Sequence, residues 1–70
     1  MSAKTEFTAR KIAQVIRGRA QSNAPLEFFL DEARRVIMNG KEMDYLSKRD
    51  FRSCRNMDEE TARAKLSDLY

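Results

Sequence analysis

Four basic side chains, Lys48, Arg49, Arg52 and Arg55, fall within eight consecutive residues, and a single thiol, Cys54, sits among them. On a helix Lys48, Arg52 and Arg55 share a face, and the planar fork of arginine suits phosphates and guanine edges. That pattern is a nucleic-acid footprint carried by Lys48, Arg49, Arg52 and Arg55. Its plain alternative is a solvated face of mixed charge, held by ion pairs worth ~0–1 kcal/mol each. Positive charge beside Cys54 would lower a thiol pKa and favour reactivity. A lone cysteine on an apolar face is, however, ordinarily packing. The run Asp58-Glu59-Glu60 offers carboxylates to a metal, but acidic residues opening a helix are explained by its dipole.

The rest of the composition argues against catalysis. There is no His among 70 residues, so the usual proton carrier near neutral pH is missing, and so is a pH switch in that range. No G-x-S-x-G, H-E-x-x-H or G-x-x-x-x-G-K occurs. One Cys and no His leave no four-ligand zinc site of Cys and His, and no internal disulfide. The chain reads as a binding protein, not an enzyme, with no catalytic residue, metal or cofactor. A net charge of +3 does not by itself make it a nucleic-acid binder.

A second set of residues suits a protein partner. Nine of the 14 basic residues are Arg, and Arg and aromatic residues are enriched where proteins meet. Phe28 and Met38 lie off the apolar stripe of their helix, on the side of Glu27, Asp31 and Arg35. The candidate partner-binding set is Glu27, Phe28, Asp31, Glu32, Arg35 and Tyr45. Met43 and Phe51 read instead as core or dimer contacts.

These side chains need helices to position them. From Thr8 to Ala20, at about 100° per residue, Ala9, Ile12, Ala13, Val15, Ile16 and Ala20 fall on one face and Arg10, Lys11, Gln14 and Arg17 on the other. Thr8 is the expected N-cap, with a Phe7–Ile12 staple, and Thr5 the alternative. The stretch 21–25 connects to a second helix with Asn23 as its cap and Pro25 in its first turn. There Leu26, Phe29, Leu30, Ala33, Val36 and Ile37 form a stripe about 120° wide, Asp31 pairs with Arg34 or Arg35, and Asn39-Gly40 ends the helix. Residues 41–56 fit one bent helix or two pieces, with Ser47 and Asp50 as a capping box. A hairpin about Asn39-Gly40 is the competing reading. A last helix starts with Asn56 as its cap and Glu59 at N3, and presents only Ala62, Leu66 and Leu69, with Tyr70 beside them.

Small, Cys-poor helical chains of mixed charge are common among phage proteins that disable a host protein. The order Thr8-Ala-Arg-Lys-Ile-Ala-Gln-Val-Ile-Arg, then Ala24-Pro25-Leu26-Glu27-Phe28-Phe29, then a basic segment ending near Cys54 resembles the phage-encoded anti-activators of quorum sensing. The resemblance lies in size and organisation over most of the chain and carries no binding residue across. It implies a small helical dimer that binds the DNA-binding domain of a LuxR-type regulator and can also target a pilus-assembly ATPase.

The expectation is one all-α domain over residues 1–70, a small bundle of three to four short helices with a helix 1/helix 2 hairpin. A lone core of this size seldom supplies more than ~3–5 kcal/mol. The two apolar stripes exceed what one hairpin covers, so a homodimer is expected. With no signal-peptide pattern and no apolar run beyond Phe28-Phe29-Leu30, the expected place is the cytoplasm, the host's if phage-encoded, with no membrane partner. The expected function is to bind and inhibit a bacterial regulatory protein, with Glu27, Asp31 and Glu32 set against its basic DNA-reading surface and Phe28 as anchor. The alternative is a small basic DNA-binding repressor or architectural protein.

Overall fold

The computed structural model describes residues 2–69, without the side chain of Leu69. Four α-helices follow one another: α1 (Ala3–Ala20), α2 (Glu27–Met38), α3 (Lys48–Asn56) and α4 (Glu59–Leu66). Short 3-10 turns, Glu42–Asp44 and Ser67–Leu69, precede α3 and follow α4. No strand occurs among the described residues. The fold is all-helical, and the hairpin about Asn39-Gly40 is overturned.

Helix α1 begins earlier than its apolar pattern suggests, because Ser2 caps it, not Thr8 or Thr5. The Ser2 hydroxyl accepts from the Thr5 N–H at 3.1 Å and donates to the Thr5 hydroxyl at 2.9 Å. A second cap arrives from across the fold: the carboxylate of Glu59, in the first turn of α4, accepts from the N–H groups of Ala3 at 2.9 Å and Lys4 at 3.3 Å. Two of the orphan donors of α1 are thus satisfied by another helix. At its far end, Ser22 N–H reaches Arg17 C=O and Gln21 N–H reaches Gly18 C=O, a Schellman closure that puts Gln21 at φ 52°.

Helix α2 folds back along α1, so that Arg34 in its second half reaches Glu6 in the first turn of α1. Asn23 does not cap α2; its first amide donors go to the carbonyls of Pro25 and Leu26. Pro25 therefore lies just before the helix. Asn39-Gly40 ends it as expected, since Lys41 N–H bonds Val36 C=O and Gly40 N–H bonds Ile37 C=O, with Gly40 at φ 66°. A hairpin would have to give up both bonds.

Residues 41–56 take the two-piece form. The Ser47 hydroxyl accepts from Asp50 N–H at 3.1 Å and starts α3. Asn56 ends α3 instead of capping α4, a task taken by Asp58, whose carboxylate accepts from Thr61 N–H at 2.7 Å. Glu59, expected to help cap its own helix, is drawn to α1.

The core consists of Phe7, Ala9, Ile12, Ala13 and Ile16 of α1, Leu26, Leu30, Ala33 and Val36 of the α2 region, and Leu46, Cys54, Met57 and Ala62 from the second half. Buried positions of α1 spread over about 220° of its circumference at 100° per residue, because α2 packs on one side and α4 on another. Three assignments on α1 change. Arg10, expected outside, is buried at 7% exposure; Ala20, expected inside, is exposed; and Val15, expected inside, is half-buried and outside the core cluster. The α2 stripe is covered by α1, and the remaining apolar surface of α1 by α4 and, to a lesser extent, α3, so uncovered stripes no longer argue for a second copy.

Candidate functional site

The two candidate surfaces lie on α2 and α3. With Leu30, Ala33 and Val36 turned to the core, the opposite side of α2 presents Glu27, Phe28, Asp31, Glu32, Arg35 and Met38, all exposed. Phe28 is 74% and Met38 83% exposed, the two most open large apolar side chains described. The stripe arithmetic placed both correctly, because α2 meets its neighbours on one side only. Leaving an aromatic ring in water forgoes ~2 kcal/mol of burial. Asp31 holds Arg34 at 3.1 Å, and Arg34 also holds Glu6 at 3.1 Å, which in turn lies 3.5 Å from Arg10. The network ties the charged rim of α2 to α1.

Tyr45 does not join this surface. It is half-buried against the core, with the Arg19 guanidinium 4.8 Å from its ring centre. Arg19 also donates to the Asp44 carbonyl at 3.0 Å. A cation over a ring at this distance contributes ~0.5–1 kcal/mol at an exposed site, so the Tyr45 ring is occupied within the chain. Periodicity could not reveal this, because Tyr45 lies in an irregular connection.

On α3, Lys48, Arg49, Arg52 and Arg55 are all exposed. None of them forms an ion pair with a described residue, although Arg10 and Arg34 do. Lys48, Arg52 and Arg55 line one hollow, together with Met43 and Phe51, so the expected shared face exists. Arg49 lines a neighbouring hollow with Lys48, Arg52 and Ser53. Met43, expected as a core or dimer contact, is 45% exposed, while Phe51 is half-buried.

Cys54 points the other way. It is buried at 4% exposure, and burial pushes its thiol pKa up, against weaker lowering by Thr8 and Lys11. The reactive reading needed a lowered pKa and is overturned by this burial, although Arg55 lines the same cleft as Cys54. That cleft, of about 210 Å³, is lined by Cys54 with Thr8, Ile37, Phe51, Lys4 and Arg55, below the ~300 Å³ at which small-molecule pockets begin.

The carboxylates at the start of α4 are structural. Hydrogen bonds from the Thr61 hydroxyl and N–H hold Asp58 below its ordinary pKa. For Glu59, partial desolvation acts upward, but the N–H groups of Lys4 and Ala3, the Ser2 hydroxyl and Arg63 together lower its pKa. No group of three or more metal-ligating side chains converges among the described residues, and none of their helices is long and apolar enough to cross a membrane. The expected apolar contacts of Leu69 and Tyr70 fall outside the described side chains. Compared with protein-family models, curated proteins and solved structures, the chain shows no significant match.

Proposed function

We propose that this chain is a small regulatory binding protein that captures another protein through the outer side of α2 and so inhibits it. The observation that carries the reading is the pair Phe28 and Met38, left open on a helix whose other side packs Leu30, Ala33 and Val36 into the core. Phe, Met and Arg are enriched in protein interfaces relative to the rest of the surface. Glu27, Asp31 and Glu32 surround Phe28, so the fitting partner is a basic surface with an apolar notch. A DNA-binding domain offers such a basic surface, and the resemblance to phage anti-activators points to that of a bacterial LuxR-type regulator; a phage origin and action in the host cytoplasm belong to this proposal. Tyr45 drops out of the proposed contact set and Met38 joins it.

The test is direct capture of a purified LuxR-type DNA-binding domain, followed by its release from operator DNA. The expected result is competition with DNA that weakens at least tenfold in the Phe28→Ala/Asp31→Ala double variant. Unchanged capture by that variant would remove α2 as the site. No capture by the unmodified chain would remove this target class.

A second reading draws on α3, where Lys48, Arg49, Arg52 and Arg55 have no acidic partner among the described residues. They would neutralise phosphates of duplex DNA. Such binding falls steeply with salt, and losing one phosphate contact reduces the log–log slope by about 1. No mobility shift of duplex DNA at low salt rejects it.

A further inference from the structure

The outer side of α2 has an internal symmetry. Phe28, Asp31, Arg35 and Met38 are spaced 3, 4 and 3 apart, the spacing of a coiled-coil seam. At about 100° per residue they occupy a sector about 80° wide, directly opposite Ala33, which is fully buried. Ala33 is also their midpoint along the chain: Asp31 and Arg35 lie two residues to either side, and Phe28 and Met38 five. At a rise of ~1.5 Å per residue, each pair stands equally far from the level of Ala33, ~3 Å and ~7.5 Å respectively.

From this we infer that the outer seam of α2 pairs with the same seam of a second copy, antiparallel, about a two-fold axis at the level of Ala33. In that arrangement Asp31 faces Arg35 of the other copy, and Arg35 faces its Asp31. Phe28 meets Met38 at both ends. A two-fold contact requires a surface that complements itself in this reciprocal way. The parallel alternative sets Asp31 against Asp31 and Arg35 against Arg35, so like charges exclude it. Burial of Phe28 and Met38 removes the two most exposed large apolar side chains described from water in one step.

The contact involves one 12-residue helix per protomer, short of the ~1,200 Å² at which stable interfaces begin. The dimer is therefore an exchanging one, formed at micromolar concentration and above. It uses the surface proposed above for a foreign partner, and the two are mutually exclusive. The inference stands on the seam and not on that function.

Sedimentation equilibrium over a concentration series tests it. The unmodified chain is expected to pass from monomer to dimer and no further. Asp31→Arg or Arg35→Asp alone weakens the dimer at least tenfold, and the double reversal Asp31→Arg/Arg35→Asp restores it, since the reciprocal pairing is rebuilt with signs exchanged. A chain that stays monomeric throughout, or a double reversal no better than either single variant, overturns the proposal. Orientation is read by oxidative crosslinking in a Cys54→Ala background. Mixed Phe28→Cys and Met38→Cys chains should crosslink to each other faster than either does to itself; preferential Phe28→Cys self-crosslinking indicates a parallel pair and overturns it too. A restored dimer that captures no regulator leaves this inference standing and fails the proposed function, and regulator capture by a strict monomer does the reverse.

Discussion

The α1/α2 hairpin and the α3/α4 half are held by different means. The hairpin brings nine buried apolar residues together, counting Leu26 just before α2 (Phe7, Ala9, Ile12, Ala13, Ile16, Leu26, Leu30, Ala33 and Val36), and adds a charge network from Arg10 through Glu6 and Arg34 to Asp31. The second half brings Leu46, Cys54, Met57 and Ala62, and depends on caps at Ser47 and Asp58 and on the Glu59 bridge to α1. Packing holds the first pair, and end-satisfaction tethers the second. Both put charge on the outside, but on α2 Asp31 pairs with Arg34, while the α3 bases have no acidic partner among the described residues.

The contrast can be broken most forcefully at Ile12. It is fully buried, and Ile12→Ala is expected to cost about 3–4 kcal/mol, most of the stability of a chain this small, read as loss of the cooperative thermal transition. Glu6→Ala comes next: it removes the shared acceptor of Arg10 and Arg34 and should cost about 2 kcal/mol by chemical denaturation, less than a wholly buried pair because Glu6 keeps some solvent contact. In the second half, Ser47→Ala is expected to cost about 1 kcal/mol, with protection of the α3 amides from hydrogen exchange falling before that of α1.

Acid gives a further distinction. Asp58 and Glu59 have folded pKa values below their ordinary 3.8 and 4.5, so their contribution is present above those values and lost as pH falls through the lowered ones. Tm should therefore decline as pH falls below about 4.5, and more shallowly in Glu59→Gln, which is also less stable at pH 7. The smallest effect has the opposite sign. Gln21 sits at φ 52°, a conformation that costs a side-chain-bearing residue about 1 kcal/mol, so Gln21→Gly should raise stability by up to that amount.

How much of this was legible depended on how many neighbours a segment has. Helix α2 has one packed side, and its stripe, its stop at Gly40 and the exposure of Phe28 and Met38 all follow from periodicity. Helix α1 has neighbours on two sides, so a one-faced reading put Arg10 outside; it is buried with the Glu6 carboxylate 3.5 Å away. Caps were harder to place. Ser47 stands next to the helix it starts and was found, whereas Asn23 and Asn56 have the right chemistry at the wrong position. Nothing local shows that Glu59 closes a helix 55 residues away, because a tertiary cap leaves no pattern along the chain.

The sequence by itself determined a mainly helical chain, the α2 stripe with its 3-4-3 outer seam, and a cluster of four bases near Cys54. These are properties of residue order at short range, where the helical repeat fixes which side chains share a side. Tertiary structure alone decided that the α1 and α2 stripes are covered within one chain, that Cys54 is buried while its neighbouring arginines are exposed, and that Tyr45 is taken by Arg19. Each depends on which surface another helix occupies, and that is set by contacts between residues far apart in the chain.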